Sequence, residues 1–122
     1  MNQSLVTIGN APVIYADIAR THAEQALGLS GRTSLFENAG MVFVYDEPTS
    51  PTFWMHGMKF PIDLLWSRGG VITGIEERMP ADGGLALYNS PGQVDLVVEV
   101  SAGWIATNGI KDGDSLRVQW PH

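Results

Sequence analysis

Apolar residues recur along the chain in short bursts, and the spacing within each burst predicts its element. Residues 5–8 and 13–18 are strand-like runs of branched and aromatic side chains around the turn Gly9-Asn10-Ala11-Pro12. The spacing then changes. Thr21-His22-Ala23-Glu24 is a capping box, in which the Thr21 hydroxyl accepts the Glu24 amide while the Glu24 carboxylate reaches back. Ala23, Ala26 and Leu27 give the helix after it one apolar stripe, closed near Gly28 or Gly31. Residues 40–45, Gly-Met-Val-Phe-Val-Tyr, are almost continuously apolar and predict a strand buried on both faces.

Residues 52–56 predict a strand with Trp54 and His56 on one face and Phe53 and Met55 on the other. Pro61 interrupts it, because proline donates nothing to a ladder. Residues 62–66 resume as a strand, and Gly69-Gly70 turns the chain into a partner over 71–77. The turn-rich segment 79–93 predicts one long loop, a length uncommon in a compact domain unless the loop is functional. Residues 94–100 alternate, with Val94, Leu96, Val98 and Val100 pointing one way and Asp95, Val97 and Glu99 the other. Ser101 is placed to cap a short helix carrying Trp104 and Ile105, which Asn108-Gly109 stops. The last strand covers 115–120. The sum is about eight short strands and two short helices that do not alternate with them. This pattern predicts a mainly β (α+β) fold, a compact β-barrel-like or folded sheet in one domain over residues 1–122.

Composition narrows the function classes. The chain has no cysteine, so disulfides, thiol chemistry and thiolate metal sites are excluded. Seven basic against thirteen acidic residues give a net charge of −6, and the basic residues are scattered. A field of that sign repels phosphate backbones, so nucleic acid is not an expected partner. No apolar run is long enough to span a bilayer. Met1-Asn2-Gln3-Ser4-Leu5 lacks the basic and apolar segments of a signal peptide, and the expected location of this acidic, soluble protein is the cytoplasm. His22, His56 and His122 have no metal-ligand spacing, and the chain carries no nucleophile elbow, phosphate loop or dinucleotide fingerprint. Neither a metal nor a cofactor is expected.

Several of these segments together resemble the DUF192 family, which has no assigned function. The likeness is carried by Gly28-Leu29-Ser30-Gly31-Arg32, Gly40-Met41-Val42-Phe43-Val44, Phe53-Trp54-Met55 with Phe60-Pro61-Ile62-Asp63-Leu64-Leu65-Trp66, Tyr88-Asn89-Ser90, Val98-Glu99-Val100-Ser101-Ala102-Gly103-Trp104, and Gly109-Ile110-Lys111-Asp112-Gly113-Asp114. The resemblance implies a compact β-rich domain and no particular activity. It also implies relatives with N-terminal leaders, and a Lys-Asn pair where this chain has His56-Gly57.

The candidate site follows from the mixture of aromatic and polar residues between positions 53 and 66. Trp54 and His56 form an aromatic shelf with an imidazole, or else a core tryptophan beside an edge histidine. Asp63 sits among apolar residues and requires a partner. That partner is a set of backbone amides, or Arg32, whose fork takes a carboxylate bidentately; otherwise Asp63 is a general base. Tyr88 closes over a ligand or anchors its loop. Glu99, with Asp95, is an acid–base pair or part of a solvated face. The expected function is a non-catalytic binding module for a small ligand or peptide, with Trp54, His56, Asp63, Arg32, Tyr88 and Glu99 around the pocket. The alternatives are an enzyme with Asp63 or Glu99 as general base and a structural or protein-interaction domain.

Overall fold

A computed structural model of the chain describes residues 3–121. Met1 and Asn2, part of the segment read for a leader, and His122, weighed as a metal ligand, lie outside the described residues. The elements are β1 (Gln3–Ile8), β2 (Ile14–Ala19), α1 (His22–Leu27), β3 (Ala39–Thr49), β4 (Thr52–Trp54), β5 (Ile62–Arg68), β6 (Val71–Met79), β7 (Leu87–Asn89), β8 (Val94–Ser101), α2 (Trp104–Asn108) and β9 (Leu116–Gln119).

Seven strands form one sheet in the order β6-β5-β8-β3-β2-β1-β9. All neighbours are antiparallel except β2 and β3, which are parallel and joined through α1. The sheet curls until its two edges meet at one end. Val71 bridges Ser115, and the Ile72 and Leu116 amides donate to the Asp114 and Gly70 carbonyls. This curled half-barrel is the mainly β fold that the apolar spacing predicts. Gly69 and Gly70 both adopt positive φ in the two-residue β5–β6 turn, as a tight hairpin of this hand requires.

The sheet has a core on each face. Inside the curl lie Val6, Ile8, Ile14, Val42, Leu65, Val98 and Val100, closed by Trp104 and Ile105 of α2. On the outer face lie Met41, Phe43, Ile62, Leu64, Trp66 and Val97. There Met55, Met58 and the small β4–β7 sheet cover them.

Three local expectations are corrected. The segment 79–93 is not one long loop, because Leu87–Asn89 pairs with Thr52–Trp54 and adds the ninth strand among the described residues. That pairing satisfies backbone groups that a buried loop would leave orphaned. Ser101 ends β8 rather than capping α2, whose N-cap is Gly103 in a left-handed conformation. Residues Val97 and Glu99 do not face solvent; both are buried, since β8 is central and its sheet is packed on both sides. Asp95 is only half-buried, and its Oδ2 accepts the Gly69 amide at 2.9 Å.

Candidate functional site

The outer face of β8 carries the sheet's most unusual side chain. Glu99 lies in register with Met41 on β3 and Leu64 on β5, so a carboxyl stands in a cross-strand row of buried apolar residues. It is 6% exposed. Its Oε1 is fully buried and accepts no hydrogen bond. Burying a carboxylate without donors disfavours the charged form, and burial pushes the Glu99 carboxyl up to about 8. The same burial, followed by repulsion from Glu99, pushes the Tyr45 hydroxyl up to about 12.

Glu99 lines the floor of a cleft of about 330 Å³. One wall is α1 and its exit, with His22, Gln25 and Gly28; the other is β4 and its exit, with Phe53, Trp54 and His56. Phe43 and Tyr45 of β3 complete the aromatic lining. Trp54 and His56 stack at 4.9 Å between ring centroids and 32° between planes. Trp54 is 50% exposed, so it is a shelf at the mouth of the cleft and not a core tryptophan. Phe53, one residue back, points the other way and packs edge-on against Phe43 and Trp66. It holds the base of the shelf to the outer core.

The α1 wall is short and has no buried residue, so its ends must hold it. The capping box is complete. Thr21 Oγ1 accepts the Glu24 amide at 3.1 Å, and Glu24 Oε1 accepts the Thr21 and Arg20 amides at 2.9 and 3.0 Å. Those two amides hold the Glu24 carboxyl below its ordinary range. The Gln25 side-chain amide donates to the Ala19 and Val44 carbonyls, tying α1 to β2 and β3. Gly28 ends the helix at positive φ; a Cβ there would lie 3.4 Å from Phe43 and 3.9 Å from Glu99 Oε1. A side chain there would crowd Phe43 and the Glu99 carboxyl.

The other candidates fall elsewhere. Asp63 faces the inner core, is completely buried, and is satisfied by three backbone amides. Gly103 and Ile105 of α2 donate to its Oδ2 at 3.0 and 2.9 Å, so Asp63 is the cap that Ser101 is not. Arg78 donates to Oδ1 at 2.8 Å from a β6 bulge, where Arg78 itself has positive φ. Of the partners weighed for Asp63, the backbone amides hold it and Arg32 does not. Arg32 instead bonds Asp17 at 3.0 Å, in a second hollow on the other side of α1 lined also by Arg20 and Trp120. Tyr88 lies opposite Phe53 in the β4–β7 pair and packs on the outer core, the anchoring role. Sequence reasoning missed His22, Tyr45 and Gly28 as cleft residues. The signal for Glu99 was Val97, an apolar residue on the same face of its strand. Among the described residues, no group of three or more His, Asp or Glu is placed to hold a metal ion. No described helix is long and apolar enough to cross a membrane.

Comparisons with known proteins agree with this architecture. The family model DUF192, described as an uncharacterised ACR, matches residues 4–118. No curated protein matches the chain in sequence. A crystal structure of a protein of unknown function from Novosphingobium aromaticivorans DSM 12444 superposes with a TM-score of 0.87 at 31% identity, covering 93% of this chain and 83% of that one. A structure from Sinorhizobium meliloti 1021, described as a "putative transcription regulator", gives 0.86 at 23% identity over 96% of this chain and 92% of that one, a likeness of fold alone.

Proposed function

We propose that this chain, which belongs to the DUF192 family, is a non-catalytic binding module that takes a small molecule into the cleft between α1 and β4. The observation that carries the reading is the buried Glu99 Oε1 without a hydrogen-bond partner. Buried polar atoms are almost always paired, and each exception calls for a cause. The cleft that Glu99 lines supplies one: a donor for the carboxyl arrives with the ligand. The stacked Trp54 and His56 give that ligand a flat apolar surface at the mouth. The dispersed basic residues and net charge of −6 weigh against a nucleic-acid partner.

A thermal-shift and NMR screen of metabolites and short peptides tests the proposal. A ligand present at a hundred times its Kd stabilises by about 2.7 kcal/mol. The expected hits shift the Trp54 indole signal and weaken in both Glu99→Gln and Trp54→Ala. A broad library with no such hit overturns the reading.

One observation favours a second reading. A carboxyl held protonated at neutral pH is also what a general acid needs. The binding reading is preferred because no side chain is hydrogen-bonded to Glu99 Oε1 to relay its proton. Mass spectrometry of each hit after incubation separates the two: unchanged compound supports binding, and turnover lost in Glu99→Gln supports catalysis.

A further inference from the structure

We infer that the cleft selects a small organic cation, a primary amine carried on an aromatic or alkyl body, with its ammonium group on Glu99 and its body against the Trp54–His56 shelf. The inference rests on the cleft being the binding site and goes on to name the chemistry of the occupant.

Three observations fix the sign of the charge. No lysine or arginine lines the cleft, so nothing there neutralises an anion except His22 and His56. The group at the floor is a carboxyl lacking a donor. The Gln25 side-chain amide, on the same cleft wall, is engaged by the Ala19 and Val44 carbonyls at 3.2 and 2.8 Å. Phe43, Tyr45, Phe53 and Trp54 line the walls, and aromatic faces attract cations most strongly where water is excluded. The hollow across α1 shows the opposite arrangement. It holds Arg20 and Arg32, but each already has an acidic partner, Asp46 at 3.7 Å and Asp17 at 3.0 Å.

A primary ammonium satisfies all three features. It donates to the Glu99 carboxylate, balances its charge, and leaves its carbon body for the aromatic walls. A quaternary ammonium meets the aromatic requirement but has no hydrogen to donate, so it ranks below the primary amine. Binding also moves a proton. Below about pH 8 the empty cleft holds Glu99 protonated, and the arriving ammonium ionises it, releasing a proton to solvent. Affinity therefore rises with pH up to about 8, approaching tenfold per unit, and levels off above it. His22 on α1, Tyr45 on β3 and His56 beyond β4 are the other titratable groups on the cleft wall. The release assigned to Glu99 is therefore the difference between the wild type and Glu99→Gln.

The test uses three probes of one shape: 2-phenylethylamine, 2-phenylethanol and 3-phenylpropanoate. Binding is followed by chemical shifts of the cleft residues and by calorimetry in two buffers of different ionisation enthalpy. The expected result is that the amine binds more than about tenfold tighter than the alcohol or the acid and releases a proton. Glu99→Gln abolishes both the preference and its share of the release. Equal or tighter binding of the alcohol or the acid overturns the cation assignment and leaves the binding reading standing. No cleft shift with any probe at millimolar concentration also overturns it, while the broad screen decides the binding reading separately.

Discussion

Two buried carboxyls sit on adjacent strands of one sheet, on opposite faces, and the fold treats them oppositely. Asp63 on β5 pairs with Val100, and Glu99, the residue before Val100, pairs with Leu64. Both side chains are out of water. Asp63 receives three amides from two different elements, a β6 bulge and the first turn of α2. Glu99 Oε1 receives none. Burial alone therefore does not distinguish a satisfied carboxyl from an unsatisfied one. What distinguishes them is whether the backbone was shaped to meet it. At Asp63 the chain adopts positive φ at Arg78 and at Gly103 to aim amides inward. At Glu99 the nearest backbone irregularity, Gly28, removes a side chain and leaves space.

The largest break in the comparison comes from Asp63. Replacing it with alanine leaves three amides, one buried and two part-buried, without an acceptor and uncaps α2, with an expected loss of about 3–5 kcal/mol in urea unfolding. Asp63→Asn keeps the shape but turns an amide donor toward backbone donors, and is expected to recover only part of the loss. If Asp63→Ala is within about 0.5 kcal/mol of wild type, the amide cap is not what holds this end of the sheet.

Glu99→Gln should move stability the other way. Folded Glu99 titrates near 8, against an ordinary value of 4.5. Below pH 4.5 both folded and unfolded chains hold the proton, so its contribution there is complete. As pH rises toward 8 the unfolded chain releases the proton while the folded chain keeps it, and stability falls; above 8 it is level. Glutamine removes that dependence. The variant is expected to unfold on the order of a few kcal/mol later than wild type at pH 8.5, and close to it at pH 4, in paired denaturation curves. A parallel pH dependence in both proteins would make Glu99 an ordinary solvated acid.

The legible and illegible parts of the sequence divide along the same line. The capping box at Thr21 and Glu24 and the opposite faces of Phe53 and Trp54 follow from local spacing, and the structure has them. So does the Gly69-Gly70 hairpin. Long-range relations were not local enough to read. Asp63 was recognised as needing a partner, but amides arriving from fifteen to forty-two residues away leave no mark beside it. For Glu99, alternation gives two faces and not what covers them, so it leaves both an acid–base pair and a solvated face open. The cover came from α1 and from β4 with β7, the strand hidden in a segment rich in turn residues.

The comparison predicts a smaller effect at α1, the wall that opens Glu99 to its cleft. Thr21→Ala removes one half of the capping box and is expected to lower stability by about 1 kcal/mol. Hydrogen exchange should localise that loss to 22–28, while the Asp63 end stays protected. Equal loss of protection at both ends would tie the two carboxyl sites into one cooperative unit.

The smallest stability effect and a clear functional one are expected at Trp54. Its ring is half exposed, it stacks on His56, and its strand is held by Phe53 on the opposite side. Trp54→Ala therefore removes little buried area, and the loss should stay within about 1 kcal/mol, well below the 3–5 kcal/mol usual for a core tryptophan. Ligand binding is the sensitive readout. Losing one aromatic wall should weaken an amine probe severalfold while leaving the proton release unchanged, because release belongs to Glu99 and the shelf only to the body of the ligand. Phe53→Ala reverses the pattern: it removes a side chain packed on Phe43 and Trp66, so its main loss is in folding. If Trp54→Ala instead loses core-type stability and binds the probe as wild type does, the shelf is packing, and the contrast between a satisfied Asp63 and a waiting Glu99 loses its second support.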